Sequence, residues 1–140
     1  MVNTNSKSKI LIVDDEPLNA KLLAAMIPSD QYDTFRVFSG EEALEIITDL
    51  RPDLILMDIM MPDLNGYELT RILKSDPESR DIPIVLVTAF GGADCEIKGL
   101  EAGADEFLKK PVNRTEHSSH NIRKYNDRQK RQKQPSKQNN

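Results

Sequence analysis

Leu54-Ile-Leu-Met-Asp-Ile-Met-Met-Pro-Asp-Leu-Asn-Gly66 is the stretch on which the fold turns. Four apolar residues, Leu54 to Met57, lie between Arg51-Pro52-Asp53 and a turn rich in Pro, Asn and Gly. An unbroken apolar run of that length suits a strand covered on both faces, as in a parallel sheet flanked by helices. Asp58 then falls at the carboxyl end of the strand, where open α/β sheets form their ligand sites. Packing does not explain a carboxylate there, because an unpaired buried charge costs several kcal/mol. Asp58 needs partners from elsewhere in the chain.

Upstream, residues 9–13 (KILIV) read as a short strand followed at once by Asp14-Asp15-Glu16. Pro17 suits the first turn of a helix, where its missing N–H is not needed. Leu18, Leu22 and Met26, with Leu23 and Ile27 beside them, predict an amphipathic helix over residues 17–27. Residues 34–38 predict a second strand, placed at an edge by its polar members. Ser39 and the acidic pair Glu41-Glu42 open a second helix whose apolar stripe is Ala43, Ile46, Ile47 and Leu50. Downstream of the central loop, residues 67–74 predict a third helix through Leu69, Ile72 and Leu73. Residues 82–88 predict a strand ending in a hydroxyl, Thr88, with small Ala89 next. Ala93, Ile97 and Leu100 mark a short fourth helix capped by Gly103, and residues 106–110 a fifth strand before Pro111. Strands and helices alternate throughout, which argues for a parallel sheet with right-handed crossovers.

A chain of 140 residues is enough for one such domain. The single cysteine, Cys95, excludes an internal disulfide and a multi-cysteine metal site. No apolar stretch approaches the roughly 18 residues of a membrane span, and residues 1–8 form a polar, disordered start without a signal region. A cytoplasmic location is the expectation. The charge is divided: residues 117–140 hold seven Lys/Arg and one Asp, against twelve Lys/Arg and twenty-two Asp/Glu before them. Residues 113–116 resemble a capping box for a fifth helix, yet beyond them only Ile122 and Tyr125 are apolar. Such a segment buries too little surface to offset chain entropy, so a basic tail, disordered or briefly helical, is expected. It reads as a linker to an output module, as a basic arm for an acidic partner or nucleic acid, or as a segment without specific function. His117 and His120 read as solvated tail residues. Specific nucleic-acid binding has no support, since aromatic interleaving and a helix-turn-helix pattern are absent. A fifth helix so poor in apolar positions also predicts an exposed patch on one sheet face, favouring a homodimer.

Set side by side, the strand ends collect Asp14, Asp15, Asp58, Thr88 and Lys110. Clustered carboxylates resist ionising together unless a cation stands among them. Ligands that are all oxygen suit Mg²⁺, which keeps several waters and accepts phosphate oxygens. A lysine and a hydroxyl at the same edge can hold further phosphoryl oxygens. The arrangement looks built to receive a phosphoryl group onto a carboxylate.

Asp14-Asp15 after the first strand, Asp58 through Pro62 and Gly66 after the third, Thr88-Ala89 after the fourth and Lys110-Pro111 after the fifth resemble one pattern. It is that of the receiver domain of bacterial two-component response regulators, and the likeness covers residues 9–116. The wording around Asp58 is similar to receivers attached to nucleotide-cyclase or histidine-kinase partners. The resemblance implies a doubly wound, five-stranded parallel sheet in the flavodoxin-like order 2-1-3-4-5, here with an atypical polar fifth helix or tail. It implies that Asp58 is the acceptor of a phosphoryl group from a sensor histidine kinase, in a signalling switch that catalyses its own phosphorylation and dephosphorylation. By the same resemblance, Asp15 would bind Mg²⁺ directly, Asp14 would help through water, and Met60 would supply a backbone carbonyl. Lys110 would pair with the incoming phosphoryl group, and its peptide bond to Pro111 is expected to be cis. Thr88 would bond a phosphoryl oxygen and move towards it, Ala89 would leave room for access, and Phe107 would be the aromatic switch. Tyrosine is frequent at that last position in the family. Phenylalanine lacks the hydroxyl, so its readout to an unknown output or partner rests on packing.

Three other readings compete. An Mg²⁺-dependent phosphohydrolase with an aspartate nucleophile usually has a second aspartate two residues on, where this chain has Met60. A flavodoxin-like FMN protein needs a Ser/Thr/Gly phosphate loop after the first strand, where Asp14-Asp15-Glu16 repels phosphate. A phosphate-independent interaction module has no need of the complete acidic set.

Overall fold

A computed structural model of the protein describes residues 7–88 and 93–109. The two central apolar runs form strands in which every residue is buried, Leu54–Asp58 and Ile84–Thr88. Around them the chain alternates as β1 (Ser8–Val13), α1 (Pro17–Ala25), β2 (Tyr32–Val37), α2 (Gly40–Leu50), β3 (Leu54–Asp58), α3 (Gly66–Ser75), β4 (Ile84–Thr88), α4 (Ala93–Ala102) and β5 (Glu106–Lys109). All pairings are parallel and the order is β2-β1-β3-β4-β5, the expected topology with β2 at an edge. Ala89, Lys110, Pro111 and the basic tail lie outside the described residues. Among the described residues, no helix is long and apolar enough to cross a membrane.

Side chains alternate across a strand, and the sheet accordingly feeds two cores. Leu11, Val13, Ile55, Met57, Ile84 and Leu86 pack with Ala43 and Ile47 of α2 and Leu69 and Leu73 of α3. Ile10, Ile12, Leu54, Leu56, Val85 and Val87 face the other way, with Ala20 and Leu23 of α1 and Ile27 beyond it. Each fully buried side chain of this kind contributes roughly 1.5–3 kcal/mol, so the sheet is fixed from both faces. The helix starts are specified locally. The Ser39 side chain accepts the Glu42 N–H at 3.0 Å, and Asn65 and Glu68 form a reciprocal capping box at the start of α3.

Several expectations are corrected. Leu18 and Leu22 do not face the core: they are 63% and 52% exposed, while Ala20, Leu23 and Ile27 are buried. Helix α1 also ends at Ala25, where the N–H groups of Met26 and Ile27 bond three residues back, to Leu23 and Ala24, and tighten the last turn. On α4 the buried residues are Gly99 and Ala102, and Ile97 and Leu100 point outward. Ser8 belongs to β1, and β2 starts at Tyr32 and ends before Phe38. The Phe38 N–H bonds instead to the Glu42 carboxylate at 2.6 Å. β4 begins at Ile84, because Pro83 has no N–H to give the ladder, although its carbonyl accepts from Ile55 at 3.0 Å. Val85 and Val87 are each 1% exposed, and the sheet patch expected from a polar fifth helix depends on residues outside the described ones. Among the described residues, the large exposed apolar side chains lie on α1, α2, α3 and α4, on the loops at Phe38 and Met60, and at Phe35 of the edge strand β2.

Candidate metal and phosphoryl site

Ladder register brings the acidic residues together. Val13 of β1 lies opposite Met57 of β3, so the next residues, Asp14 and Asp58, reach the same sheet edge. Asp58 lies opposite Val87 of β4, which puts Thr88 one residue further along that edge, opposite Lys109 of β5. One carboxylate oxygen each from Asp14, Asp15 and Asp58 falls within 4.8 Å of the others. Asp14 is fully buried, Asp58 is 9% exposed and Asp15 is half-buried. Asp14 is held at both ends: its N–H bonds to the Val37 carbonyl at 3.2 Å, and its Oδ1 accepts the Glu16 N–H at 3.0 Å where the chain turns into α1.

Three carboxylate oxygens at that spacing repel one another in a partly dry site, and a hard divalent cation removes the conflict. The donor set is all oxygen, so it fits a hard divalent cation such as Mg²⁺. Thr88, 1% exposed, stands at the adjacent strand end.

The loop after β3 is drawn tight over this edge. The Ile59 carbonyl accepts the N–H of Met61 at 3.0 Å and of Gly66 at 2.9 Å, and Asp63 takes a left-handed φ of 66°. Met57 and Met61 are buried, whereas Met60 projects at 61% exposure. Gly66 is indispensable to this closure. A Cβ on it would stand 2.5 Å from the Asp58 carbonyl oxygen and 2.8 Å from Ile59 Cα. Helix α3 therefore starts pressed against the backbone of Asp58, and buried Thr70 reinforces its first turn by donating to the Gly66 carbonyl at 2.7 Å.

Sequence reasoning passed over Thr70 and Tyr67. Thr70 carries a weak signal, a hydroxyl on the apolar side of α3. Tyr67 carries none, because its partner is a main-chain atom: its hydroxyl donates to the Cys95 carbonyl of α4 at 3.2 Å. Burial, and then that hydrogen bond, push its pKa from 10.0 to about 12. Phe107 is half-buried against the α2–α3 core, on the same sheet face as Tyr67. Of the predicted site residues, Asp14, Asp15, Asp58 and Thr88 come together at one edge. Lys110, Ala89 and Pro111 fall outside the described residues.

Comparison with known proteins agrees with this arrangement. The family described as "Response regulator receiver domain" matches residues 10–120. The polar-differentiation response regulator DivK of Brucella anthropi is 42% identical over 103 residues, 74% of this chain and 84% of DivK. The response regulator PleD of Caulobacter vibrioides is 43% identical over 105 residues, 75% of this chain and only 23% of PleD. Among solved structures, the signal receiver domain of a signal transduction histidine kinase from Syntrophus aciditrophicus superposes with a TM-score of 0.77 at 37% identity, covering 86% of this chain and 90% of that one. A family match over residues 10–120, with a relative 42% identical over most of both chains, shows the family: the chain belongs to the response regulator receiver domains of two-component signalling.

Proposed function

We propose that residues 9–116 act as a phosphorylation-dependent switch in the cytoplasm, in which Asp58 accepts a phosphoryl group from a sensor histidine kinase and passes the change to an output partner. The observation that carries this reading is the convergence of the Asp14, Asp15 and Asp58 carboxylates, within 4.8 Å of one another, at the strand edge that also bears Thr88. Asp15, Asp58 and the Met60 carbonyl would hold Mg²⁺ there, with Asp14 helping through water, and the ion would supply positive charge against the phosphoryl oxygens. A carboxylate oxygen of Asp58 attacks phosphorus in line. The P–N bond of the phosphohistidine breaks, and the imidazole leaves with the electron pair and takes a proton from water. The chain's part is placement of the nucleophile and of countercharge, as expected where phosphoryl transfer demands little covalent work from the protein. The Thr88 hydroxyl donates to a phosphoryl oxygen, and the Lys110 ammonium, next in sequence after β5, pairs with another. Phe107 then repacks, and the population of α4–β5 arrangements shifts.

The phosphohydrolase reading is disfavoured by one observation: the position two residues after Asp58 is Met60, an exposed thioether with no proton to give a leaving group. Incubation with acetyl phosphate and Mg²⁺ followed by intact-mass measurement tests the proposal. The wild-type chain gains one phosphoryl group and Asp58→Asn gains none. Labelling of the variant to the same extent, or turnover of an external phosphomonoester, overturns it.

A further inference from the structure

Phe107 offers no hydroxyl to the face that reads the site, whereas Tyr67 does. Its ring packs against the same core as Phe107, and its hydroxyl reaches the Cys95 carbonyl in the first turn of α4 at 3.2 Å. At its other end, Tyr67 follows Gly66, whose N–H bonds to the Ile59 carbonyl at 2.9 Å and whose Cα lies against the Asp58 carbonyl. One turn after Cys95, Gly99 leaves α4 close to both rings: a Cβ there would sit 3.5 Å from Phe107 and 3.9 Å from Tyr67. Movement of α4 with Phe107 must therefore carry the Tyr67 ring along or break its hydrogen bond.

We propose that Tyr67 is a positioning residue that couples the backbone of Asp58 to α4, its hydroxyl holding the first turn of α4 until phosphorylation releases it. The claim rests on Asp58 being the phospho-acceptor. With its pKa at about 12, the hydroxyl keeps its proton at every physiological pH, so the tether responds to movement and not to acidity.

Cys95 is the chain's sole cysteine and is half-buried, so its reaction with a disulfide reagent reports opening of that turn. The full chain and Tyr67→Phe, which keeps the ring and loses only the hydroxyl, are compared with and without acetyl phosphate and Mg²⁺. Melting curves check that both are folded. Without the donor, Tyr67→Phe should label about five-fold faster, as loss of one hydrogen bond implies. The donor should accelerate labelling of wild type and change the variant far less. Equal basal rates, or an equal donor-driven acceleration in both, overturn the proposal. Intact mass on the same samples separates the two levels: wild type without an added phosphoryl group sinks the function proposed for Asp58, and the basal comparison still decides the tether.

Discussion

Substituting Gly66 by alanine tests whether the close approach of α3 to Asp58 is what holds the acceptor in place. The added Cβ would meet the Asp58 carbonyl oxygen at 2.5 Å and Ile59 Cα at 2.8 Å, both main-chain atoms that cannot rotate aside. Ordinary contact begins near 3.4 Å, so helix and strand end must part by roughly 0.9 Å. Overpacking of this severity costs about 1–3 kcal/mol, and the better helix propensity of alanine returns at most about 1 kcal/mol. A net loss of about 1–2 kcal/mol corresponds to a melting temperature lower by roughly 4–16 °C for a domain near 100 residues. Displacing the nucleophile by close to 1 Å should also slow phosphoryl uptake from acetyl phosphate by on the order of 10–100-fold. Circular dichroism melts and an intact-mass time course measure the two effects. Gly40→Ala is the comparison: the three atoms nearest its Cβ all belong to half-buried Leu64, Cδ2 at 2.9 Å and Cβ at 3.0 Å, in a loop and not in the strand backbone. Its loss should be smaller than that of Gly66→Ala, and its phosphoryl uptake should stay near wild type. If Gly66→Ala melts within about two degrees of wild type and labels at the wild-type rate, the reasoning about this loop is wrong.

Other outcomes follow from the same geometry. Asp105 accepts both the Lys74 ammonium at 3.0 Å and the Ile84 N–H at 2.8 Å, so Asp105→Ala should destabilise by about 1–3 kcal/mol in urea denaturation, and Asp105→Asn, which keeps an acceptor, by less. Asn65→Ala removes one half of the α3 capping box and should cost about 1 kcal/mol by the same assay. Magnesium at 10 mM should raise the melting temperature of wild type, by about 1.4 kcal/mol of stability for a dissociation constant near 1 mM. Asp15→Asn should lose that response, yet melt no lower than wild type without the ion, because one repelling charge is gone.

The sheet was legible because strands buried on both faces must be apolar without interruption, and 54–58 and 84–88 leave no helical alternative between Pro or Gly boundaries. The acidic edge was legible for the same reason, since a carboxylate ending such a run has no packing explanation. The helix faces were not. Leu18-Leu22-Met26 and Ala20-Leu23-Ile27 both fit a helical stripe in one short segment, and a count of apolar residues favours the larger side chains. The core took Ala20 with Leu23 and Ile27 and left Leu18 and Leu22 outside. On α4 the same bias toward size picked Ile97 and Leu100, while Gly99 and Ala102 are the residues buried. Main-chain partners were hidden as well: nothing in the order of residues places the Tyr67 hydroxyl on Cys95 or the Gly66 Cα on Asp58.

Register explains why a site assembled from three separate strand ends is reproducible. Successive strand residues point to opposite faces, so a slip of one position in β3 would turn Met57 toward the other core and carry Asp58 out of line with Asp14. That slip is opposed at once by two cores, because Leu54 and Leu56 would trade places with Ile55 and Met57 on faces shaped for the other set. The alternation that makes 54–57 uniformly apolar therefore also locks Asp58 beside Asp14 and one step short of Thr88. Hydrophobic burial, which is indifferent to phosphate, fixes where the carboxylates meet. The carboxylates so gathered repel one another, a repulsion that a bound divalent cation lowers, so packing chosen for apolar burial sets up a place where positive charge is favoured.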